Sequence, residues 1–193
     1  KLMKISPNLA KLNQQRFSDF GSQDRKPAAF AFAGDTFQGL EVATLDADAL
    51  RWAQEHLRIL SGLYGVLRPL DEIEPYRLEM GSRLKTERGK NLYEYWGSEL
   101  ALELSTQAKS TKSKAVINCA SQEYFQAVDT RSLAVPVISP VFMENTEKGP
   151  KIISFYAKRA RGAMARFVVS NRIVNPASLH DFDAGGYRYE HNL

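Results

Sequence analysis

The segment from Leu60 to Gly81 combines glycines, prolines, arginines and four carboxylates at spacings that a core helix or strand would not use. Gly62 and Gly65 permit a tight turn whose backbone N–H groups face outward. Arg68 and Arg77 carry planar guanidinium groups that suit phosphate or carboxylate. We therefore treat this segment as a candidate anion site.

Two interpretations of the segment remain open. A glycine turn of the spelling GLYG after a helix is typical of helix-hairpin-helix proteins, in which backbone amides bind a DNA phosphate. A helix end followed by a tight turn gives the same spelling. The neighbouring carboxylates can likewise pair with Arg68 and Arg77 and brace the loop internally, whereas its two prolines stiffen it and favour a preorganised binding site.

Polar residues follow two apolar runs that we predict to be strands. They are Asp35, after residues 28–33, and Asn118, Ser121, Glu123 and Tyr124, after residues 115–119. Ligands collect beyond the carboxyl ends of strands in sheets with crossover helices. These groups could supply an acid/base pair, although helix capping and turn formation explain several of them equally well.

A third group of candidates lies on a basic amphipathic helix predicted over residues 156–169. Its cations are Lys158, Arg159, Arg161 and Arg166. Cations near a helix N-terminus oppose the helix dipole by about 0.3–1 kcal/mol each, so acidic side chains or a phosphate should compensate. A solvated basic face is the other interpretation. Gly162 costs about 1 kcal/mol relative to Ala inside a helix, which calls for a packing or ligand reason.

Helices and strands alternate along the chain, and this order must position the candidate residues. Apolar periodicity predicts helices over 46–61, 92–104 and 156–169, with strands over 28–33, 115–119, 135–138 and 152–156. A chain of 193 residues with 44% hydrophobic content fits one domain with a real core. We predict a mixed α+β fold, a single compact domain over residues 1–193 with a mixed β-sheet flanked by helices.

Net charge and the content of cysteine and histidine limit the functions that the chain can have. The net charge of +4 and the pI near 9.1 are compatible with a polyanionic partner. Cys119 is the one cysteine of the chain, which excludes an internal disulfide and fits a buried apolar residue better than a reactive thiol. The three histidines lack metal-ligand spacing, and no cofactor motif is present. We expect a cytoplasmic protein with no membrane partner, no cofactor and no metal site.

Four motifs in the same order resemble the YaaA family of bacterial peroxide stress response proteins. They are GDTFQGL at 34–40, HLRILSGLYGVLRPLDEIEPYRLEMG at 56–81, INCASQEYF at 117–125 and KIISFYAKRARGAMARF at 151–167. The resemblance runs from Leu2 to roughly Tyr189. Family members carry several dozen residues before the position of Leu2, so the resemblance implies that the N-terminal part of the family sequence is absent here.

The resemblance implies a protein of the hydrogen peroxide stress response that protects DNA and limits intracellular free iron. It also implies a family-specific fold that binds DNA through a helix-hairpin-helix-like element in a basic cleft. On this chain the element would run through the helix ending at Ser61, the glycine turn and Arg68. The DNA- or phosphate-binding candidates are then Gly62, Tyr64, Gly65, Arg68, Lys158, Arg159, Arg161 and Arg166.

Two function classes remain. The first is a protein that binds duplex or branched DNA with little sequence preference. The alternative is an enzyme that acts on a phosphorylated or nucleotide-like small molecule in a polar pocket. The pocket candidates are Asp35, Arg77, Asn118, Ser121 and Glu123. These side chains are more varied than binding to a DNA backbone requires.

Overall fold

The computed structural model describes residue 3 and residues 5–191. It contains both helices and short strands along one compact body, which confirms the predicted mixed α+β class. The helices are α1 Pro7–Ser18, α2 Ala28–Ala31, α3 Asp35–Leu40, α4 Ala47–His56, α5 Leu92–Trp96, α6 Glu99–Ser110, α7 Gln122–Phe125 and α8 Ser154–Ser170. The strands are β1 Lys26–Pro27, β2 Ile59–Ser61, β3 Gly65–Leu67, β4 Glu72–Ile73, β5 Val116–Ile117, β6 Val137–Ile138, β7 Glu144–Thr146 and β8 Gly149–Lys151.

Within the described residues the strands pair two by two. Three pairs are antiparallel, β1 with β4, β2 with β3 and β7 with β8, and one pair, β5 with β6, is parallel. The parallel pair has Val116 opposite Val137 and Ile117 opposite Ile138. Both strands point their carboxyl ends the same way, so the polar residues after β5 lie beside Ser139 after β6.

The helix predicted to continue to Ser61 ends at His56, and residues 59–67 form a β-hairpin. The glycine turn therefore connects two strands, and the structure does not have the helix-hairpin-helix element expected here. Ser61 explains the turn, because its buried Oγ accepts hydrogen bonds from the amides of Leu63 at 3.2 Å and Tyr64 at 2.8 Å. A side chain that satisfies local amides favours a turn over a continued helix.

Two further predicted strands are wrong. Residues 28–31 form the helix α2, because a short apolar run does not distinguish a buried strand from a buried helix. The run at 152–156 is divided, since β8 ends at Lys151 and α8 begins at Ser154. The helix predicted over 92–104 is interrupted at Gly97, whose φ of 51° is left-handed, and α6 continues past the predicted end to Ser110.

The loop between Arg68 and Gly81 is held by hydrogen bonds and ion pairs within the protein. This agrees with the interpretation that its charged residues brace the loop internally. Glu74 is buried, and its carboxylate accepts a hydrogen bond from the amide of Gly21 at 2.7 Å. Arg68 pairs with Asp71 at 3.2 Å. Buried Asn13 on α1 exchanges two hydrogen bonds with the backbone of Arg77, at 2.9 and 2.8 Å. These contacts fix the loop against α1.

Helices α3 and α8 cross in backbone contact. A Cβ atom added at Gly162 would lie 1.9 Å from the backbone oxygen of Thr36, and one added at Gly39 would lie 2.1 Å from the backbone oxygen of Arg159. The packing reason sought for Gly162 is this contact. It brings Asp35, the first residue of α3, to the side of α8 that carries Lys158.

Helix α8 contributes side chains to three of the apolar clusters that form the core. One cluster collects Leu40, Ile59 and Leu67 with Ala165 of α8, and another collects Phe142, Leu179 and Phe182 with Met164 of α8. Helix α8 therefore holds several parts of the chain together. None of the helices in the described part of the chain has the length and apolar composition needed to cross a bilayer.

We expect Gly162→Ala to lower the free energy of unfolding by about 2 kcal/mol, because the added methyl meets backbone that cannot rotate away. The gain in helix propensity of about 1 kcal/mol offsets only part of this cost. Urea denaturation followed by circular dichroism measures the change. Gly34→Ala is the matched control, since a Cβ there meets nothing within 4 Å. Equal stability of the two variants would contradict the backbone contact.

Candidate functional site

A cavity of about 690 Å³ is lined by α3, α8, the residues that follow β5 and the loop at 76–79, and it extends to residues of α4, β2 and α6. Polar side chains from each of the first four regions line it. They include Asp35, Arg77, Glu79, Asn118, Ser121, Glu123, Tyr124, Lys158 and Arg161. The cavity thus brings together every pocket candidate predicted from the sequence.

Asp35 and Lys158 form an ion pair at the α3–α8 crossing. The distance from Lys158 Nζ to Asp35 Oδ2 is 3.8 Å, and both side chains are partly exposed. This is longer than a hydrogen bond, so the ammonium group retains donors for another acceptor. The pair places one cation and one carboxylate side by side in the cavity wall.

Arg161 faces the same cavity from the next turn of α8. Its Nε atom is buried and has no hydrogen-bond partner, and no carboxylate of the described residues forms an ion pair with the guanidinium. Burial lowers the pKa of Arg161, yet a guanidinium stays charged at neutral pH. The cavity wall therefore contains a cation without a counter-ion in this part of the chain.

The neighbour of Arg161 is the neutral thiol of Cys119. Burial raises the pKa of Cys119 to about 12, and the positive charge of Arg161 opposes that shift only in part. The thiol is therefore protonated at neutral pH and does not neutralise the guanidinium. Cys119 is partly exposed in the cavity wall and packs against two of the core clusters.

The residues after β5 have defined roles in the local backbone. Asn118 donates from Nδ2 to Ser139 Oγ at 3.1 Å and accepts from the amide of Ala120 at 3.0 Å. Ser121 is the N-cap residue of α7, but its hydroxyl makes no capping bond. Glu123 accepts from the amide of Gly81 at 3.0 Å. Part of this motif is thus structural, and the Ser121 hydroxyl is left for a ligand.

The loop side of the cavity is formed by Arg77, Glu79 and Tyr124. Arg77 Nη2 lies 2.6 Å from Glu79 Oε1, whereas Glu79 Oε2 is shielded from solvent and has no partner in the described part of the chain. Burial, together with the carboxylates of Glu123 and Glu79, raises the pKa of Tyr124 to about 12. Tyr124 is therefore a neutral hydroxyl at physiological pH.

Several residues proposed for phosphate binding lie elsewhere. Gly62 and Gly65 are buried, and a Cβ added at Gly62 would lie 2.5 Å from the backbone oxygen of Leu78. Gly65, with a φ of 77°, packs against the ring of Trp96. The hydroxyl of Tyr64 accepts from the amide of Glu74 at 3.2 Å. The turn packs inward, and its role in phosphate binding stays a prediction.

The remaining basic candidates differ from one another in their surroundings. Arg68 is paired with Asp71 on the braced loop. Arg166 donates to the backbone oxygens of Leu40 at 3.2 Å and Glu41 at 3.0 Å, so it caps the end of α3. Arg159 is exposed and lies outside the cavity lining. Of the basic candidates on α8, Lys158 and Arg161 are the two that the structure brings to one site.

Residues 3 and 5–191 contain no group of three or more His, Cys, Asp or Glu side chains arranged to hold a metal ion. The carboxylates of the cavity are separated by cations, as the Asp35–Lys158 and Glu79–Arg77 pairs illustrate. The cavity therefore combines cations that can bind an anion with neutral and acidic side chains that can form hydrogen bonds.

Comparison with known proteins assigns the family. The family model described as "Peroxide stress protein YaaA" matches residues 1–193. The chain belongs to this family. A UPF0246 protein of Ruegeria pomeroyi is 58% identical over 197 residues, which cover 100% of this chain and 77% of that protein. A UPF0246 protein of Roseobacter denitrificans is 60% identical over 198 residues, covering 100% and 76%. One of Jannaschia sp. is 58% identical over 195 residues, also covering 100% and 76%.

The sequence of this YaaA family member leaves two features of the site open. It predicts Glu79 only as one of the carboxylates that can brace the arginines, and the unpartnered oxygen of Glu79 has no signal in the sequence. It predicts Arg161 as a phosphate-binding candidate, with a solvated basic face as the other interpretation, and does not distinguish Arg161 from Arg159. Helical spacing could have separated it from Arg159, since residues two apart point to nearly opposite sides of a helix. Which side is buried depends on α3, which is distant in sequence.

We expect the Cys119 thiol of the folded protein to react slowly with a disulfide reagent at pH 8, because the thiolate is the reactive form and the raised pKa keeps it scarce. The rate should increase with pH, and it should increase sharply at pH 8 when urea unfolds the chain. Because the chain has a single cysteine, release of the chromophore reports this residue alone. A native rate equal to the unfolded rate would contradict the raised pKa of Cys119.

Proposed function

We propose that this member of the peroxide stress family binds a phosphorylated or nucleotide-like small molecule in the cavity and acts on it as an enzyme. The observation that carries the proposal is Arg161, a half-buried cation in the cavity wall without a carboxylate partner among the described residues. A partly buried charge with an unpaired, shielded N–H loses some of its hydration, and a bound anion would offset that cost. Lys158, one turn earlier on the same helix, can donate to the same anion.

The size and chemistry of the cavity support an enzyme more than a surface for polymer binding. Its volume of about 690 Å³ suits a small molecule, since ligand pockets measure about 300–1,000 Å³. Asp35 and Tyr124 place a carboxylate and a neutral hydroxyl in the same cavity, and such groups transfer protons in catalysis. Contacts to a DNA backbone need only cations and amide donors.

The variant Arg161→Gln should weaken binding of inorganic phosphate at least tenfold. Charge-assisted hydrogen bonds contribute about 1.5–3 kcal/mol, and each 1.4 kcal/mol corresponds to a factor of ten. Isothermal titration calorimetry measures the dissociation constant directly. We expect Arg161→Gln to change the binding enthalpy of a nucleoside monophosphate in the same direction as that of inorganic phosphate.

Arg159→Gln is the matched control for this experiment. It removes the same charge from the same helix, but its side chain lies outside the cavity. Phosphate affinity should be unchanged in this variant. If both variants lose affinity equally, the effect reflects net charge, and the proposed anion subsite is wrong.

DNA binding is the second candidate function, and one observation favours it. Phe155 and Tyr156 at the start of α8 are 55% and 51% exposed, and they lie next to exposed Lys158 and Arg159. Aromatic rings beside cations are the elements that stack unpaired bases and neutralise a nucleic-acid backbone. The family resemblance adds the proposal that the protein protects DNA and limits intracellular free iron during peroxide stress.

For this second function we expect affinity for branched DNA to fall steeply with added salt, because binding releases counterions from the phosphates. Arg159→Glu should lower the affinity, and Phe155→Ala should lower it for branched or single-stranded DNA more than for duplex. Fluorescence anisotropy with labelled oligonucleotides measures all three. Affinity that does not change with salt would exclude this mode of binding.

A further inference from the structure

Glu79 lines the cavity, and only one of its two carboxylate oxygens has a partner among the described residues. One carboxylate oxygen, Oε1, lies 2.6 Å from Arg77 Nη2. The other, Oε2, is shielded from water and has no hydrogen-bond partner among the described residues. Leaving such a buried acceptor unpaired costs free energy, which a donor supplied by a ligand would offset.

The groups around Glu79 do not supply that donor. The carboxylate of Glu123 is an acceptor already bonded to the amide of Gly81 at 3.0 Å. Tyr124 lies close enough for the charge of Glu79 to contribute to its raised pKa, yet no hydrogen bond joins the two side chains in the described structure. This wall of the cavity is therefore rich in acceptors, in contrast to the Arg161 wall.

The shielded oxygen can become accessible through a small movement. The terminal torsion of a glutamate side chain is broad, so a partial rotation about it can turn the shielded oxygen toward the cavity. The side chain of Glu79 is 31% exposed, so its carboxylate is reachable from the cavity. A ligand donor can therefore bond to one oxygen while Arg77 retains the other.

We propose, as an inference that rests on the proposed function, that Glu79 recognises a hydrogen-bond donor on the body of the phosphorylated ligand. The donor is an amino group of the kind that an aminated nucleobase carries. The phosphate binds at Arg161 and Lys158, and the amino group donates to Glu79. The substrate class is thus a nucleotide with an exocyclic amine, and Glu79 determines specificity at the end opposite to the phosphate.

The test compares AMP with purine riboside 5′-monophosphate, which carries a hydrogen atom in place of the exocyclic amine and is otherwise identical. Calorimetric titration of the unmodified protein should show AMP binding at least tenfold more tightly than this analogue, since the analogue leaves the buried acceptor of Glu79 unpaired. Glu79→Ala should abolish the preference, because it removes both carboxylate oxygens.

Two variants separate recognition from structure. Arg77→Gln breaks the same ion pair but keeps the free acceptor, so the preference for AMP should persist. Glu72→Gln removes a carboxylate outside the cavity lining and should change neither affinity. Thermal melting of each variant confirms that it is folded.

The outcomes distinguish the two proposals. If AMP and its analogue without the amine bind equally and inorganic phosphate displaces both, the inference about Glu79 is overturned while the anion site stands. The same holds if phosphate binds and neither nucleotide does. If neither the nucleotides nor phosphate bind, the proposed function fails, and the inference fails with it. A preference for AMP that survives Glu79→Ala overturns the assignment of Glu79 alone.

Discussion

The backbone contact between α3 and α8 is the constraint on which the cavity depends. Glycine at both 39 and 162 lets the two helices approach until a single methyl group would lie within 2.1 Å of a backbone oxygen. Such proximity fixes the helices relative to each other, because protein interiors do not deform continuously around an inserted atom. Asp35 at the start of α3 therefore has a fixed position beside Lys158. The helix that contributes to three of the core clusters is also the helix that carries Lys158 and Arg161.

This arrangement has an electrostatic consequence. Lys158 has a carboxylate partner at 3.8 Å, whereas Arg161, on the same side of the helix, faces a thiol that burial keeps protonated. Two neighbouring cations thus differ in how far the protein neutralises them. In a partly desolvated cavity an unneutralised charge acts more strongly on a ligand than the same charge would in water. The site is consequently polarised, with positive charge on the α8 wall and acceptors on the loop wall.

The sequence allowed part of this to be predicted. The polar residues after β5 were found because the rule about strand ends requires only a short apolar run followed by polar side chains. The basic helix was found from periodicity. The structure of the glycine turn could not be predicted, because the sequence GLYG occurs both after helices and in β-hairpins. The hairpin is favoured by a hydrogen bond to the Ser61 hydroxyl, and the sequence pattern does not show this bond. The unpartnered atoms of Glu79 and Arg161 could not be predicted at all, since a missing partner is a property of the assembled fold.

The geometry of α8 also bears on how the two candidate functions relate. Successive residues of an α-helix are rotated by about 100°, so Lys158 and Arg161 lie on one side and Arg159 lies nearly opposite to Arg161. A basic stretch that looks continuous in the sequence is therefore divided between an interior and an exterior surface. A small anion at Arg161 would meet little of the charge on Arg159, and a nucleic acid along Arg159 would not enter the cavity. Binding at one surface consequently does not exclude binding at the other, and each cation has to be assigned to its own partner.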